Sequence, residues 1–312
     1  MRCKDGITDH VSRITPSLKR PTHFEYTHIK STMDQTNMVT AADITAVINA
    51  LNLSHKPICL HASLRSFGWV VGGAETVVQA FLSCGCTILG PTFSWGFAVP
   101  PPIEQRPPRN GWDYDADEGS VAGIGRIYTS FSQEIDQDMG AIPRAILAHP
   151  KRVRGEHPLC SFTAIGPFAG QLIANQSHQH VFGPLEALVQ ADGLLLLMGV
   201  GLTKMTLLHL AEKQAGRTLF RRWANGPTGQ PITVEVGGCS DGFDQFRPYL
   251  EPTVINRLIG QSQWLIFPAH KVLTQAVTAI RQQPSITCCC RPDCERCRDA
   301  IAGGPILTSG EK

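Results

Sequence analysis

The chain has 312 residues, of which 42% are hydrophobic, so it is long enough to bury the core of one large α/β domain or of two lobes. This composition excludes a chain that is disordered throughout. The 28 basic residues nearly balance the 26 acidic ones, which excludes a general electrostatic attraction to nucleic acid or to a membrane surface. Any site for an anion must therefore be local.

The beginning of the chain and its apolar runs bear on where the protein works. Residues 1–40 have neither the continuous apolar core of a secretory signal nor helical periodicity, so we predict a flexible extension there. The longest apolar run, LLLLMGVG at residues 194–201, is far shorter than the roughly 20 residues of a membrane-spanning helix. A cytoplasmic protein without a membrane or nucleic-acid partner is expected.

The predicted elements begin with alternating helices and strands. Residues 41–53, AADITAVINALNL, carry apolar side chains at helical spacing, and residues 58–61 are typical of a short strand. Gly72 and Gly73 then open a second helix over residues 74–84, and CTILGPTFSW at residues 86–95 supplies another apolar strand. This order indicates an α/β fold.

The next segments continue that pattern around a long irregular stretch. Residues 98–138 are rich in proline, glycine and charge and are too long for a simple connection, so we expect them to line a site. A helix is predicted over residues 139–150, and residues 194–216 read as strand, polar turn and helix, ending at Gly216. We predict one mixed α/β domain over residues 41–302, with a flexible tail at residues 303–312.

One glycine-rich segment is a candidate anion site. Residues 61–76, HASLRSFGWVVGGAET, place Ser63, Arg65 and Ser66 between a strand and the start of a helix. Free backbone N–H groups and the helix dipole favour an anion there, which suits a phosphorylated cofactor. The segment is neither G-x-G-x-x-G nor a P-loop, which disfavours dinucleotides and nucleoside triphosphates. A tight turn that uses glycine only for its conformation is the alternative.

A histidine in a second segment is a candidate general base. His157 lies in RGEHPLCSFTAIGP, residues 154–167, a stretch that is neither a clean helix nor a clean strand. A neutral imidazole accepts a proton near physiological pH, which suits it to deprotonating a substrate. The alternative is a structural histidine that caps a turn beside Pro158.

Three ordered segments carry a family resemblance: HASLRSFGWVVGGAETVV, MGAIPRAILAHPKRVRGEHPLCSFTAIGP and LLLLMGVGLTKMTLLHLAE. They contain a His-x-Ser-Leu segment with a Gly-Gly helix start, an Arg-x-x-His-Pro-x-x-Ser segment and a Thr-x-x-His-x-Ala-Glu helix. From about residue 41 to the C-terminus, the chain resembles the aminoglycoside 3-N-acetyltransferase family. The resemblance implies direct acetyl transfer from acetyl-coenzyme A to an amine, without a covalent enzyme intermediate. It also implies a mixed α/β fold with long active-site loops, distinct from the commoner acetyltransferase fold.

The resemblance further implies roles for individual residues. The cofactor would contact Ser63, Leu64, Arg65, Ser66, Phe67, Val71, Gly72, Gly73 and Ser161. His157 would be the general base. His209 and Glu212 lie at positions i and i+3 of one predicted helix and form a second candidate catalytic pair, although they could simply bond to each other or to a neighbouring strand.

The sequence departs from the family in one segment. Family members usually carry a Gly-Glu-x-Ser-Pro-like segment whose acid supports the catalytic histidine, whereas residues 180–188 here read HVFGPLEAL. Glu156, Glu186 and Asp192 are the candidates for a replacement acid. Residues 112–118, WDYDADE, could supply an acidic cleft for a polycationic sugar if that loop folds over the site, or could be a solvated loop.

Cysteines near the C-terminus suggest a metal. Five of the eleven cysteines lie in CCCRPDCERC, residues 288–297. We predict that Cys290, Cys294 and Cys297, with a fourth ligand from Cys239, Cys288 or Cys289, bind a structural zinc ion. Free reduced thiols are the alternative.

These observations predict an acetyl-coenzyme A-dependent N-acetyltransferase that acts on an amine of an aminoglycoside or a related amino-sugar-like compound. A homodimer is an expected assembly. The alternative function is a coenzyme A-binding or zinc-stabilised member of the family that is not catalytic and has a regulatory role. A hydrolase built on Cys160 is disfavoured because that cysteine lies in no nucleophile-elbow pattern.

Overall fold

A computed structural model describes residues 38–117 and 119–307 of the chain. Within these residues, the helices are α1 Ala41–Ala50, α2 Gly73–Ser83, α3 Ala141–Ala148, α4 Ala169–Ile173, α5 Gly183–Gln190, α6 Leu207–Gln214, α7 Arg247–Leu250, α8 Ala269–Gln282 and α9 Glu295–Ile301. The strands are β1 Met38–Val39, β2 Pro57–Ala62, β3 Trp69–Val70, β4 Thr87–Pro91, β5 Ala98–Val99, β6 Val153–Arg154, β7 Phe162–Ile165, β8 Leu194–Met198, β9 Phe220–Asn225, β10 Pro231–Val236, β11 Ile255–Ile259 and β12 Ser262–Pro268. The predicted α/β class is confirmed.

A mixed sheet of seven strands forms the centre of the fold, in the order β11-β12-β8-β2-β4-β7-β6. Its three middle strands, β8, β2 and β4, run parallel, and the strands on both sides are antiparallel to their neighbours. Because β8 and β2 are parallel, with Ala62 paired to Met198, both strands end at the same edge of the sheet. We call this edge the carboxyl edge.

Side chains on the two faces of the sheet belong to two separate core clusters. Along β2, Ile58 and Leu60 pack with α1 and α2, whereas Cys59 packs on the opposite side with residues of α5, α6 and α8. Successive residues of a strand point to opposite faces, so a strand buried on both sides is apolar at every position. This explains the unbroken apolar run of β8, since the sheet lies as a middle layer between helices on both faces.

Local sequence signals account for the first helices. Thr40 caps α1 by accepting the backbone N–H of Asp43, and the Asp43 carboxylate accepts the backbone N–H of Thr40 in return. In α2, Val77, Val78 and Phe81 are buried, as their helical spacing predicts.

Among the described residues, no helix is long and apolar enough to cross a membrane.

A second, smaller sheet contains β10, β9 and β5 in that order, all antiparallel. The long segment that follows β5 has little regular structure, as predicted from its proline and glycine content, and includes the short 3-10 helix Ile103–Gln105. The β9–β10 hairpin ends at Val236 and leads to the segment that packs against α6.

Both predicted domain boundaries shift in the described residues. Met38 and Val39, assigned to a flexible extension, form β1 and pair with β3. Gly303, assigned to a flexible tail, accepts the backbone N–H of Thr218, and Ile306 donates to Arg109. The rest of the predicted extension, residues 1–37, and the rest of the predicted tail, residues 308–312, lie outside the described residues.

Candidate active site

The carboxyl edge brings the predicted cofactor segment against the loop that follows β8. The Ser63 N–H donates to the Met198 carbonyl at 2.9 Å, and the 3-10 helix Leu64–Phe67 follows directly. Gly199 has a φ of +63°, and a Cβ atom there would overlap the hydroxyl of Ser66. Only glycine fits this crossing without displacing the segment.

The residues of the predicted cofactor segment differ in how accessible they are. Arg65, Val71 and Gly72 are exposed, and Ser63, Leu64, Ser66 and Gly73 are half-buried. The Ser66 hydroxyl donates to the Ser63 carbonyl at 2.7 Å and lies 2.7 Å from the hydroxyl of Ser262, so it holds the loop in shape. Phe67 is fully buried and packs edge-on against Trp264, so its side chain does not reach the surface.

The start of α2 retains free donors for an anion. Its N-cap, Gly72, has a left-handed backbone and offers no side chain to cap the first N–H groups. Such a helix start attracts a phosphate. Two exposed cations on the carboxyl edge, Arg65 and Lys204, could add to this attraction. Glu75, in the first turn of α2, opposes it.

The helix α6 begins one short loop after β8 and carries a chain of three charged or titratable side chains. His209 Nδ1 lies 2.7 Å from a carboxylate oxygen of Glu212, and the other carboxylate oxygen accepts from Arg217 at 2.6 Å. A carboxylate accepts and does not donate, so Nδ1 carries the proton and Nε2 is left as an acceptor. Among the described residues, Nε2 has no hydrogen-bond partner. His209 therefore has the geometry of an oriented general base.

Aromatic and backbone groups hold the His209 ring in place. Phe182 stacks on it at a centroid distance of 6.2 Å, and Phe243 lies at 4.8 Å. A Cβ at Gly237 would lie 2.7 Å from Cδ2 of the ring, so this close approach requires glycine. His209 as a whole is 9% exposed, so these neighbours bury most of it.

His157, the predicted base, has a different environment. It is fully buried, and its Nε2 donates to the carbonyl of Glu235 at 2.7 Å. Its Nδ1 accepts the backbone N–H groups of Leu159 and Cys160 at 3.2 and 2.9 Å. Burial lowers the pKa of His157 to about 3, and the hydrogen bond to Glu235 opposes this only in part. Both ring nitrogens are occupied by backbone groups, which argues against proton transfer by His157 and favours the structural alternative.

Ser161 is also occupied by the protein. It is fully buried, its hydroxyl donates to the Thr92 carbonyl at 2.9 Å, and it accepts from Arg154 Nε at 3.0 Å. Arg154 also donates to the carbonyls of Ser132 and Glu134. This network ties the long loop to β6 and β7, so the structure places Ser161 in a support role and not at a cofactor surface.

None of the three proposed replacement acids faces either histidine. Glu156 is exposed, Glu186 bonds to His180 at 2.8 Å, and Asp192 is exposed beside Lys56 and His270. The acid that orients His209 is Glu212, on the same helix. The i, i+3 spacing was the available signal, and what sequence reasoning missed is Arg217, which fixes the carboxylate.

The acidic loop packs on β9 and α9. The Gly111 N–H donates to Asp299, and the Arg222 guanidinium lies 5.1 Å from the ring of Trp112. Asp113, Asp115 and Asp117 are exposed. Glu118 lies outside the described residues.

Cys160, the nucleophile of the disfavoured hydrolase, is buried, and burial raises the pKa of its thiol, so it supplies no nucleophilic thiolate.

Four cysteine sulfurs converge at one point, but they are not the four that were predicted. The sulfurs of Cys239, Cys289, Cys294 and Cys297 all lie within 4.8 Å of one another. Cys290 is exposed, and its thiol faces the Cys288 carbonyl at 3.7 Å. The backbone of Cys290 has a φ of +60°, and its sulfur is not among the four that converge. Cys289 therefore takes the position predicted for Cys290.

The sequence and the fold correspond to a known class of acetyltransferases. A model of the aminoglycoside 3-N-acetyltransferase family matches residues 59–281, and the chain belongs to this family. It is 31% identical over 281 residues to aminoglycoside N(3)-acetyltransferase III of a Salmonella species, covering 78% of this chain and 92% of that protein. It is 32% identical over 162 residues to aminoglycoside N(3)-acetyltransferase IX of Micromonospora chalcea, covering 51% of this chain and 56% of that enzyme. The latter match thus spans just over half the length of that relative.

Solved structures share the fold. AAC-IIIb, in a binary complex with CoASH, matches with a TM-score of 0.62 at 21% identity, over 79% of this chain and 97% of that chain. A histidine-to-alanine variant of AAC(3)-IVa in complex with a gentamicin matches with a TM-score of 0.65 at 21% identity, over 85% of this chain and 98% of that one. At these identities the likeness establishes the fold.

Proposed function

We propose that the protein is an acetyl-coenzyme A-dependent N-acetyltransferase whose acceptor is an amine of an aminoglycoside or of a related amino sugar. Membership of the family supports this proposal, as do the relatives that are named for this reaction. The observation that carries it is the His209–Glu212–Arg217 chain, which orients the imidazole and leaves its Nε2 without a hydrogen-bond partner among the described residues.

The chemistry proposed for His209 is proton removal from the acceptor. An ammonium group must lose a proton before its nitrogen attacks a thioester carbonyl, and Nε2 of His209 is the acceptor of that proton. As the C–N bond forms and the C–S bond breaks, the nitrogen gives up a second proton to the departing coenzyme A thiolate. The proton held by His209 then passes to solvent, so the products are the amide, coenzyme A and one released proton. Glu212 stabilises the imidazolium formed in between, and Arg217 keeps the carboxylate in position.

The cosubstrate is proposed to bind along the carboxyl edge. The exposed part of residues 63–67 and the uncapped start of α2 offer backbone donors, and Arg65 with Lys204 offers positive charge for phosphate groups. Phe67 supports this surface through its buried packing against Trp264, whereas Ser161 acts away from it, in the network that holds the long loop on β6 and β7. AAC-IIIb, which shares the fold, binds CoASH in its solved complex, and this supports coenzyme A as the cosubstrate here.

The non-catalytic alternative rested on a missing acid. Since Glu212 lies 2.7 Å from His209, the described residues supply one, and the motive for that alternative is removed. The experiment that separates the two is a screen of aminoglycosides and simpler amines with acetyl-coenzyme A, read by a thiol-detecting reagent. Thiol release that depends on the amine supports the enzyme, whereas coenzyme A binding without any release supports the regulatory protein.

A further inference from the structure

The cysteine cluster has the dimensions of a metal site built from thiolates. Four sulfurs bound to one tetrahedral Zn²⁺ at about 2.3 Å lie about 3.8 Å apart. The sulfurs of Cys297 and Cys289 are 3.5 Å apart, and all four sulfurs lie within 4.8 Å of one another. All four cysteines are free thiols, and Cys239 and Cys297 are buried. Four buried or half-buried thiols that point at one centre suit a closed, structural zinc site.

Neighbouring donors are arranged to stabilise sulfur in its charged form. The backbone N–H of Cys289 points at the sulfur of Cys297 at 3.3 Å. Arg291 Nε lies 3.5 Å from the sulfur of Cys289, while its terminal nitrogen donates to Asp241 at 3.0 Å. N–H groups and a guanidinium beside the ligands offset the negative charge that four thiolates leave on a divalent ion. Arg291 also ties the cysteine loop to the segment that follows Cys239.

The four cysteines come from two stretches that are far apart in sequence. Cys239 follows the β9–β10 hairpin, and the other three lie just before and within α9. The stretches pack without a gap, because a Cβ at Gly242 would overlap the carbonyls of Thr287 and Cys288. The side chain of Gln245 also donates to the Cys288 carbonyl at 2.6 Å. A metal at this junction would fasten the two stretches together.

Each stretch also reaches the proposed general base. Two residues before Cys239, Gly237 presses on the His209 ring, and shortly after it Phe243 contacts the same ring. Two residues before Cys289, Thr287 bonds to Arg217 at 2.8 Å, and Arg217 holds Glu212. The ring is thus contacted by one stretch, and its orienting acid is held by the other.

We propose that Cys239, Cys289, Cys294 and Cys297 bind one structural Zn²⁺, and that this ion positions His209 and Glu212 by joining the two stretches that contact them. The cysteines are positioning residues and contact no reacting atom. The first half of the proposal is independent of the reaction, while the second half rests on the proposed function.

The metal half is tested by elemental analysis of the full chain, purified in reducing buffer without added metal. About one zinc per chain is expected, with a sulfur-only shell at about 2.3 Å by X-ray absorption. Cys294→Ser and Cys297→Ser should each lose the zinc, and the matched control Cys290→Ser should keep it. Cys294 is half-buried, so its variant serves if Cys297→Ser fails to fold. Iron in place of zinc, a metal-free parent, or loss of zinc in the control as well would overturn the assignment.

The positioning half is tested on the parent enzyme after zinc is removed with a chelator. The expected result is a fall in kcat of up to about 100-fold with an unchanged KM for acetyl-coenzyme A, because a misplaced base affects chemistry more than binding. The imidazole NMR signals of His209 should move on zinc removal and return on zinc addition. If the zinc-free enzyme keeps its full kcat and the His209 signals do not move, this half of the proposal is overturned. If no amine proves to be a substrate, the NMR signals alone decide this half.

Discussion

At the scale of single residues, His209 and His157 differ in how their ring nitrogens are occupied. His209→Ala removes the proposed base, so we expect kcat to fall by about 10²–10⁴-fold while acetyl-coenzyme A binding is retained. His157→Ala removes three buried hydrogen bonds to backbone groups, so the expected effect is a loss of about 2–4 kcal/mol of stability. Steady-state kinetics and urea denaturation of both variants separate these roles. A His157 variant that is inactive but as stable as the parent would restore the prediction that His157 is the base.

The buried acid is a second residue-scale test. Glu212→Gln leaves the Arg217 guanidinium without its carboxylate, which should cost about 3–5 kcal/mol of stability. It should also lower kcat, because a neutral amide stabilises the imidazolium less than a carboxylate does. The double variant Glu212→Gln, Arg217→Met should recover stability but not kcat. Recovery of both would mean that Glu212 has only a structural role.

At the scale of elements, the crossing of two loops at the carboxyl edge depends on Gly199. Gly199→Ala combines a φ of +63° with overlap against Ser66, so we expect it to displace residues 63–67 and weaken acetyl-coenzyme A binding by at least about tenfold. Gly125→Ala is the matched control, since its φ is +72° and nothing lies within 4 Å of an added Cβ. Calorimetric titration with acetyl-coenzyme A compares the two. Equal binding by both variants would place the cosubstrate elsewhere.

At the scale of the whole molecule, two buried neutral histidines make stability depend on pH. Burial lowers the pKa of His157 to about 3 and, with a contribution from Lys204, that of His61 to about 4. The unfolded chain protonates both near pH 6.5, so it binds more protons than the folded chain between that pH and the folded pKa values. The contribution of the two histidines to the free energy of unfolding should therefore be fully present above about pH 6.5. It should fall as the pH is lowered, by at most about 1.4 kcal/mol per pH unit for each histidine.

Urea denaturation between about pH 7 and pH 5 measures this slope. His157→Gln should make the slope shallower, because the variant lacks the buried imidazole that the unfolded chain protonates. An identical slope in the parent and in His157→Gln would show that His157 is already charged in the folded state.

Much of the fold follows from patterns that are local in sequence. The helical spacing of apolar residues predicts α1 before Leu53 and α6 near Leu207, and an unbroken apolar run predicts β8. These patterns work because the periodicity of apolar side chains reports which face of an element is buried. The family motifs likewise identify the chain as an aminoglycoside 3-N-acetyltransferase family member. The β9–β10 hairpin, which forms the three-stranded sheet with β5, was not predicted, and neither were β11 and β12, which extend one side of the seven-stranded sheet.

The sequence by itself therefore determined the fold class and the family, and it supplied His209 and Glu212 as candidates for the proposed site. Only the tertiary structure decided which histidine keeps a free nitrogen and which cysteine completes the cluster. The physical reason is that these properties depend on contacts between distant parts of the chain: His157 with Glu235, His209 with Gly237 and Phe243. Cys239 meets Cys297 in the same way, and the turn at Cys290 removes that thiol from a cluster that its spacing alone would allow it to join.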